Sequence, residues 1–289
     1  DAQESRGLGD VYKRQLTDFA AGTTNVLLTD SPLDSEEDIN CERIYTACAG
    51  LVINPENEIL SKKEVREIIS LCLDPAELGE DVPDYLSPAG GIIPKNAYIG
   101  STAFRSACAE PDIEKNSQLA QYRWSFVLSD GEKSEIAGTN IMVPQSFAGY
   151  KYVSSVCESL KEIIGLSLNL EIVNDSDYIR RLNGGNYDIC LAIFSSDSAS
   201  AFDYIAEFDG RYKGIYNESA VKAISSSDKY STLTSAIRSC SQAESSVISE
   251  YQFIPIWYVP KFMYSSEDSW DFEYDPFSGS ILFENAKSK

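Results

Sequence analysis

A short, almost wholly apolar run, Tyr187–Phe194 (YDICLAIF), constrains the fold of this chain more than any other feature. Such a run is typical of a strand buried on both faces in the centre of a sheet. It follows an amphipathic helix over Ser146–Ile164, an alternating strand over Leu166–Ile172 and a short helix around Tyr178–Leu182. The order strand, helix, strand, helix, strand over residues 136–194 predicts an α/β sheet with right-handed crossovers.

Further elements are predicted on both sides of this unit. Ser61 fits the start of a capping box with Glu64, and Asp74-Pro75 is typical of a second helix start. Ser129-Asp130-Gly131 indicates a hairpin turn between two strands. Strands are predicted over 25–29, 44–54, 122–128, 135–143 and 253–259, and helices from 61, from 74 and over 229–249.

The charge and composition exclude several classes of function. Acidic residues outnumber basic ones 45 to 24, and a net charge of −21 repels phosphate backbones, so we expect no nucleic-acid partner. There is no histidine, which excludes Ser-His-Asp and Cys-His catalysis and His-ligated zinc. A carboxylate-pair or lysine-based enzyme stays open at this point, although we expect no enzyme, no metal and no cofactor.

The seven cysteines are widely spaced and include no CxxC pair. An odd number at such spacing is a poor disulfide framework, so we predict that most are reduced and buried. The sequence has no apolar run of about 18 residues, the length that could span a membrane.

Residues Asp10–Gln15 (DVYKRQ) resemble the translated end of a sequencing adaptor, and residues 1–15 are therefore predicted to be an artefactual tail.

A loop of small polar residues, Ser195–Ala201 (SSDSASA), comes directly after the predicted central strand. Ligands of open α/β sheets bind beyond the carboxyl ends of the strands, so this loop is a candidate ligand site. The alternative is that Asp197 only caps the following helix, and the two interpretations weigh about equally. The candidate ligand-binding residues of this loop are Phe194, Ser195, Ser196, Asp197 and Ser198.

Trp257 and Tyr258 are the other candidate ligand-binding residues. Aromatic side chains of this size either line a cleft or fill a core, and for these two the core is the favoured alternative.

Several segments, in their order, resemble the C-terminal part of the family 5 solute-binding proteins of ABC importers, the oligopeptide- and dipeptide-binding type. The family usually has a Trp and then Asp-Tyr-x-Asp-Pro after its central strand, whereas Phe194-Ser-Ser-Asp197 stands here without the Pro. The matching segments are LVIN at 51–54 with VREII at 65–69, LDPAEL at 73–78, PAGGIIP at 88–94, GGNYD at 184–188, IPI at 254–256 and the ending over 277–285.

The resemblance implies a periplasmic-binding-protein-like type II fold of class α/β. One lobe, a mixed sheet flanked by helices, would be nearly complete over residues 54–256. Residues 16–53 and 257–289 would be remnants of the other lobe, with hinge strands near Tyr45–Asn54 and Ile254–Lys261. We expect the apolar residues of these remnants to lack their core partners, and the chain to be a fragment whose signal peptide and lipid-anchor cysteine lie upstream.

The same resemblance implies the substrate-binding component of an ABC importer, a monomer that captures a peptide ligand between lobes and passes it to permease subunits in the membrane. Its parent would be an extracellular, membrane-anchored lipoprotein. Asp197 aligns with the family's anchor carboxylate for the ligand α-amino group. Two alternatives stay open: a sensor of peptide signals, or a binder of another solute such as a metal chelate or a sugar.

Overall fold

Two long antiparallel strands, β2 (Ile39–Ile53) and β9 (Ile254–Ser266), form the axis of the structure. The structure is a computed structural model. It describes residues 14–33, 39–78, 82–147, 149–196, 198–213, 215–266, 270–275 and 280–288.

The described residues contain further strands and helices, some of them very short. The other strands are β1 (Val26–Thr29), β3 (Ser87–Pro88), β4 (Tyr98–Ile99), β5 (Thr102–Ala103), β6 (Thr139–Pro144), β7 (Leu168–Val173), β8 (Ile189–Ser195), β10 (Trp270–Asp275) and β11 (Ser280–Ser288). The helices are α1 (14–20), α2 (Lys63–Cys72), α3 (Phe104–Ala107), α4 (Ser117–Val127), α5 (Asp130–Ile136), α6 (Val153–Ile164), α7 (Asp175–Gly184), α8 (Ala201–Ala206), α9 (Glu218–Ser225) and α10 (Leu233–Ser249), with 3₁₀ turns at Tyr150–Tyr152 and Ser227–Lys229. None of these helices is long and apolar enough to cross a membrane.

The main sheet is mixed, and its strand order is β1-β9-β2-β8-β6-β7, with β3 added beside β9. β8 lies between β2 and β6, which confirms the predicted central strand. It runs antiparallel to β2 and parallel to β6, and β6 is also parallel to β7. The predicted succession of strands and helices over residues 136–194 is therefore present from β6 through β8.

Alternate side chains of β8 enter two apolar cores on opposite faces of the sheet. Ile189 and Leu191 pack with α2, α4 and α6, whereas Cys190 and Ala192 pack with α7, α8, α9 and α10. All four side chains are fully buried. The unbroken apolar run of the sequence follows from this, because a strand covered on both faces has no polar side.

The predicted hairpin over residues 122–143 is wrong, because helices α4 and α5 occupy most of it. Ser129 begins α5 with a capping box: its hydroxyl accepts the backbone N–H of Glu132, whose carboxylate accepts the backbone N–H of Ser129. The sequence Ser-Asp-Gly-Glu permits a hairpin turn and a capping box, and the capping box forms. Only the last part of the second predicted strand exists, as β6.

Three smaller expectations also differ from the structure. Helix α2 begins after Lys62 without a side-chain cap, so Ser61 does not form the predicted capping box. After Asp74 the chain makes one turn instead of a helix. In β7, an edge strand of the sheet, Leu170 and Ile172 are 36% and 45% exposed, so the buried face that the alternating pattern predicts is incomplete.

The outer ends of the sheet have a small core of their own. Leu27 of β1 is buried with Phe262 and Tyr264 of β9, and Leu16, Phe19, Leu33 and Tyr85 pack against them. The expectation that the apolar residues near both ends of the chain lack partners is therefore wrong for Leu27 and Tyr264. The part of that expectation that concerns residues 267–283 lies outside the described side chains.

Candidate functional site

The candidate site begins where β8 ends. Ser195, the last residue of β8, is exposed and pairs with Ala47 of β2. Phe194 faces the opposite way: it is buried, and its ring lies 5.3 Å from that of Phe208 and 5.0 Å from that of Phe253. Phe194 therefore anchors the end of the strand in the core, while Ser195 starts the loop.

The serines of the loop are held by one carboxylate, that of Asp203 in the first turn of α8. The hydroxyls of Ser196 and Ser198 both donate to Asp203 Oδ2, the first of them at 2.7 Å. The loop is also tied to itself, because the N–H of Ser198 donates to Ser196 Oγ at 3.1 Å and the N–H of Ser200 donates to Ser198 Oγ at 3.2 Å. Ser196 and Ser198 thus come together, as their place in one loop predicts.

Ala199 adopts a backbone conformation that few residues other than glycine tolerate, with φ of 54°. Its carbonyl accepts the N–H of Tyr98 at 2.8 Å, which ties the loop to the β4–β5 turn. A positive φ at a residue with a Cβ costs free energy and persists only where the surroundings fix it. The contacts on both sides of Ala199 supply that constraint.

Asp197 lies outside the described residues. The N-cap of α8 is Ser200, whose hydroxyl oxygen accepts the N–H of Phe202 at 3.3 Å. The position that caps the helix after the central strand is therefore Ser200, three residues beyond the one that the sequence suggested.

Trp257 and Tyr258 are fully buried in β9, as the core alternative for these residues expects. Trp257 stacks on Phe147 with ring centroids 6.4 Å apart, and its indole N–H finds no acceptor among the described residues. The Tyr258 hydroxyl donates to Glu110 at 2.9 Å, and burial raises the pKa of Tyr258. The structure therefore does not bring these two side chains to the surface of the Ser195–Ser200 loop.

Glu244 of α10 is a residue that sequence reasoning missed. It is 1% exposed, and its Oε1 accepts the N–H groups of Ile92 and Ile93 at 2.8 and 3.0 Å. Arg105 donates to both oxygens of the same carboxylate and to the Ile93 carbonyl. One signal was present: Glu244 interrupts the apolar face of its helix, and a charge there indicates a buried, paired group.

The buried Arg105–Glu244 pair fixes the segment Gly90–Ile93 beside the long strand β9. Burial by itself would lower the pKa of Arg105, but the hydrogen bonds and charge of Glu244 outweigh it and the pKa is raised. A side chain at Gly91 would lie 2.5 Å from Glu244 Oε1, so only glycine admits this close approach. Strand β3 (Ser87–Pro88), which precedes this segment, pairs with Tyr258 and Trp257 of β9.

The pairing of β2 with β9 is interrupted near Thr46, where the register shifts between Tyr45 and Ala47. The hydroxyl of Tyr204, a fully buried residue of α8, donates to the Thr46 carbonyl at 2.6 Å. Residues 39–45 of β2, which precede this bulge, pair with β9 alone, whereas residues 47–51, which follow it, pair with both β8 and β9. The α/β part of the sheet thus ends at the same level as β8 and the candidate site.

A cleft of about 430 Å³ lies beside the loop, and among the described residues that line it only Asp203 is charged. The stacked rings of Phe202 and Tyr230, 6.0 Å apart, form part of its wall. Ser200 and Gly100 complete the side nearest the loop. Within the described residues no group of His, Cys, Asp and Glu has the arrangement of a metal site.

No protein-family model matches the sequence, and no curated protein matches it significantly. Solved structures do match. OppA of Haemophilus influenzae, solved in complex with the peptide RPPGFSPFR, is 16% identical with a TM-score of 0.71, and the match covers 96% of this chain and 56% of OppA. The pheromone receptor PrgZ, whose mode of peptide binding was solved, is 16% identical with a TM-score of 0.69, over 96% and 56%.

NikA of Brucella suis, solved in complex with Fe(III)-EDTA, is 12% identical with a TM-score of 0.70, and the match covers 96% of this chain and 60% of NikA. This chain has the fold of these structures, a periplasmic-binding-protein-like fold with a mixed sheet flanked by helices, as predicted. It spans 56% to 60% of the length of these three structures.

Proposed function

We propose that this chain is part of a solute-binding protein of an ABC importer that captures oligopeptides and is not an enzyme. The observation that carries the proposal is the likeness of almost the whole chain to proteins solved with peptides, OppA and PrgZ among them. Residues 54–256 form the second lobe in this proposal. Residues 16–53 and 257–289 belong to the first lobe and the hinge.

The peptide is proposed to lie at the end of β8, against the Ser195–Ser198 loop. Asp197 holds the α-amino group of the ligand, since a carboxylate suits the charged end of a peptide. The exposed position of Ser195 at the end of a central strand supports this placement. Phe194 and Tyr258 are buried in the core on one face of the sheet, and Trp257 is buried in the core on the other face.

The whole protein is proposed to be extracellular, anchored as a lipoprotein, monomeric, and a partner of permease subunits in the membrane. The acidic composition, with a net charge of −21, argues against nucleic acid as a partner. A sensor of peptide signals is the alternative that the likeness to PrgZ favours, and it uses the same site.

A binder of metal chelates is the second candidate, favoured by the likeness to NikA with Fe(III)-EDTA. Calorimetric titration separates the two. The protein expressed from its complete reading frame is titrated with the tetrapeptide Ala-Leu-Ala-Leu, with Fe(III)-EDTA and with an oligosaccharide. The proposal predicts saturable binding of the peptide at one site. Saturable binding of the chelate or the sugar, with none of the peptide, contradicts it.

A further inference from the structure

Asp203 is not among the proposed ligand-binding residues, but it makes hydrogen bonds to the loop that contains them. It lies in α8 and not in the loop, yet one of its oxygens accepts hydroxyls from two loop serines, Ser196 and Ser198. Each of those serine hydroxyls also accepts a loop N–H, those of Ser198 and Ser200 respectively. A single carboxylate therefore fixes both hydroxyl rotors and, through them, two backbone N–H groups.

The loop is held from two sides. On one side is the Asp203 network, and on the other is the Tyr98 N–H, which donates to the carbonyl of Ala199. Between them Ala199 is kept at its positive φ. A strained conformation at the end of a central strand, fixed by contacts on both sides, is the pattern expected where backbone geometry serves binding.

We propose that Asp203 is a positioning residue: by accepting the hydroxyls of Ser196 and Ser198, it fixes the geometry of the loop that holds the amino end of a peptide ligand. This inference rests on the proposed function. It adds to it a residue outside the loop on which selectivity for a free α-amino group depends. A bound group is held well only when the residues that support its site are themselves locked.

Hydrogen bonding and charge make different predictions for Asp203. Asp203→Asn keeps an oxygen that accepts the serine hydroxyls and removes the negative charge, whereas Asp203→Ala removes both. A positioning residue tolerates the first change and not the second. A residue that attracts the ligand by its charge tolerates neither.

The test measures the affinity of the protein, expressed from its complete reading frame, for Ala-Leu-Ala-Leu and for its N-acetylated form. The quantity of interest is the Kd for the acetylated peptide divided by the Kd for the free-amine peptide, which measures selectivity for the free amine. We expect Asp203→Ala to lower this ratio at least tenfold and Asp203→Asn to leave it within threefold of wild type. The double variant Ser196→Ala with Ser198→Ala, which removes the same hydrogen bonds and keeps Asp203, is expected to behave like Asp203→Ala.

The matched control is Asp177→Ala, because Asp177 likewise lies in the first turn of a helix, α7, and is outside the loop. It is expected to leave the ratio unchanged. An unchanged ratio in Asp203→Ala and in the double serine variant overturns the proposal. An equal fall in Asp203→Asn and Asp203→Ala also overturns it, because the asparagine retains the acceptor.

Hydrogen exchange of the ligand-free protein separates this inference from the proposed function. Asp203→Ala is expected to speed the exchange of the segment 195–200 at least tenfold, because the N–H groups of Ser198 and Ser200 lose fixed acceptors. If wild type binds no peptide but the exchange is accelerated, the proposed function fails and the ordering of the loop by Asp203 stands. If the exchange is unchanged, the inference fails whatever the ligand is.

Discussion

The buried pair of Arg105 and Glu244 yields the sharpest prediction about stability. Glu244→Ala leaves the guanidinium of Arg105, which is 9% exposed, without its counter-ion. It also leaves the N–H groups of Ile92 and Ile93 without an acceptor. Removing one partner of a buried ion pair costs roughly 3–5 kcal/mol, because the remaining charge stays buried and unpaired.

We therefore expect Glu244→Ala to lower the free energy of unfolding of the 289-residue chain by about 3–5 kcal/mol. The measurement is urea unfolding followed by circular dichroism. Glu244→Gln, which keeps one oxygen for the N–H groups but loses the charge, is expected to cost less, about 2–3 kcal/mol. The control is Gln242→Ala, an exposed position of the same helix, for which a change within about 0.5 kcal/mol is expected.

A double-mutant cycle with Arg105→Met tests the cause. Because the arginine is costly only when its partner is absent, the double variant is expected to lose at least about 1 kcal/mol less than the sum of the single losses. Additive losses, or a loss for Glu244→Ala no larger than that of Gln242→Ala, show that Glu244 does not stabilise the fold by pairing with Arg105.

Three further predictions concern other parts of the chain. Gly50→Ala is expected to lower the unfolding free energy by about 1–3 kcal/mol, because its Cβ would lie 2.4 Å from the ring of Phe253; Gly131→Ala is the control, and equal effects in urea unfolding contradict the packing. Burial lowers the pKa of Lys115 from 10.5 to about 8, so between these pH values the unfolded chain binds a proton that the folded chain has lost. The unfolding free energy of wild type should therefore rise from pH 8 to 10.5 relative to Lys115→Met, by at most about 3 kcal/mol, and parallel pH profiles contradict this. All seven cysteines are free and Cys41 is exposed, so thiol titration should find seven groups after unfolding and lose its fastest native phase in Cys41→Ser; a count of five or fewer shows a disulfide.

The central part of the fold was predictable because its pattern has only one interpretation. An eight-residue apolar run such as Tyr187–Phe194 is too short for a typical helix and too apolar for an exposed strand, and β8 lies where expected. The segment around Tyr122 was not predictable in this way. Its aromatic residues favour a strand by propensity, but Tyr122 and Phe126 lie one turn apart on the exposed side of α4.

The candidate site was predictable in place but not in its contacts. The sequence pattern alone predicts where the central strand ends, and ligands of open α/β sheets bind beyond such ends, so the Ser195–Ser198 segment could be chosen from the sequence. The role of Asp203 depends on the first turn of α8 folding back on the loop, and that of Glu244 on a contact 139 residues away along the chain, with Arg105. Residue spacing carries no information about contacts of that range.

The most direct test of the proposed amine-binding role of Asp197 is the calorimetric affinity of wild type and Asp197→Ala for Ala-Leu-Ala-Leu and for its N-acetylated form. The protein is again the one expressed from the complete reading frame. Removing one partner of a desolvated charge pair costs roughly 2–5 kcal/mol, which is about a 30-fold to 4000-fold loss of affinity. We expect that loss for the free-amine peptide and little change for the acetylated one. Equal losses for both peptides, or no loss for either, contradict this role of Asp197.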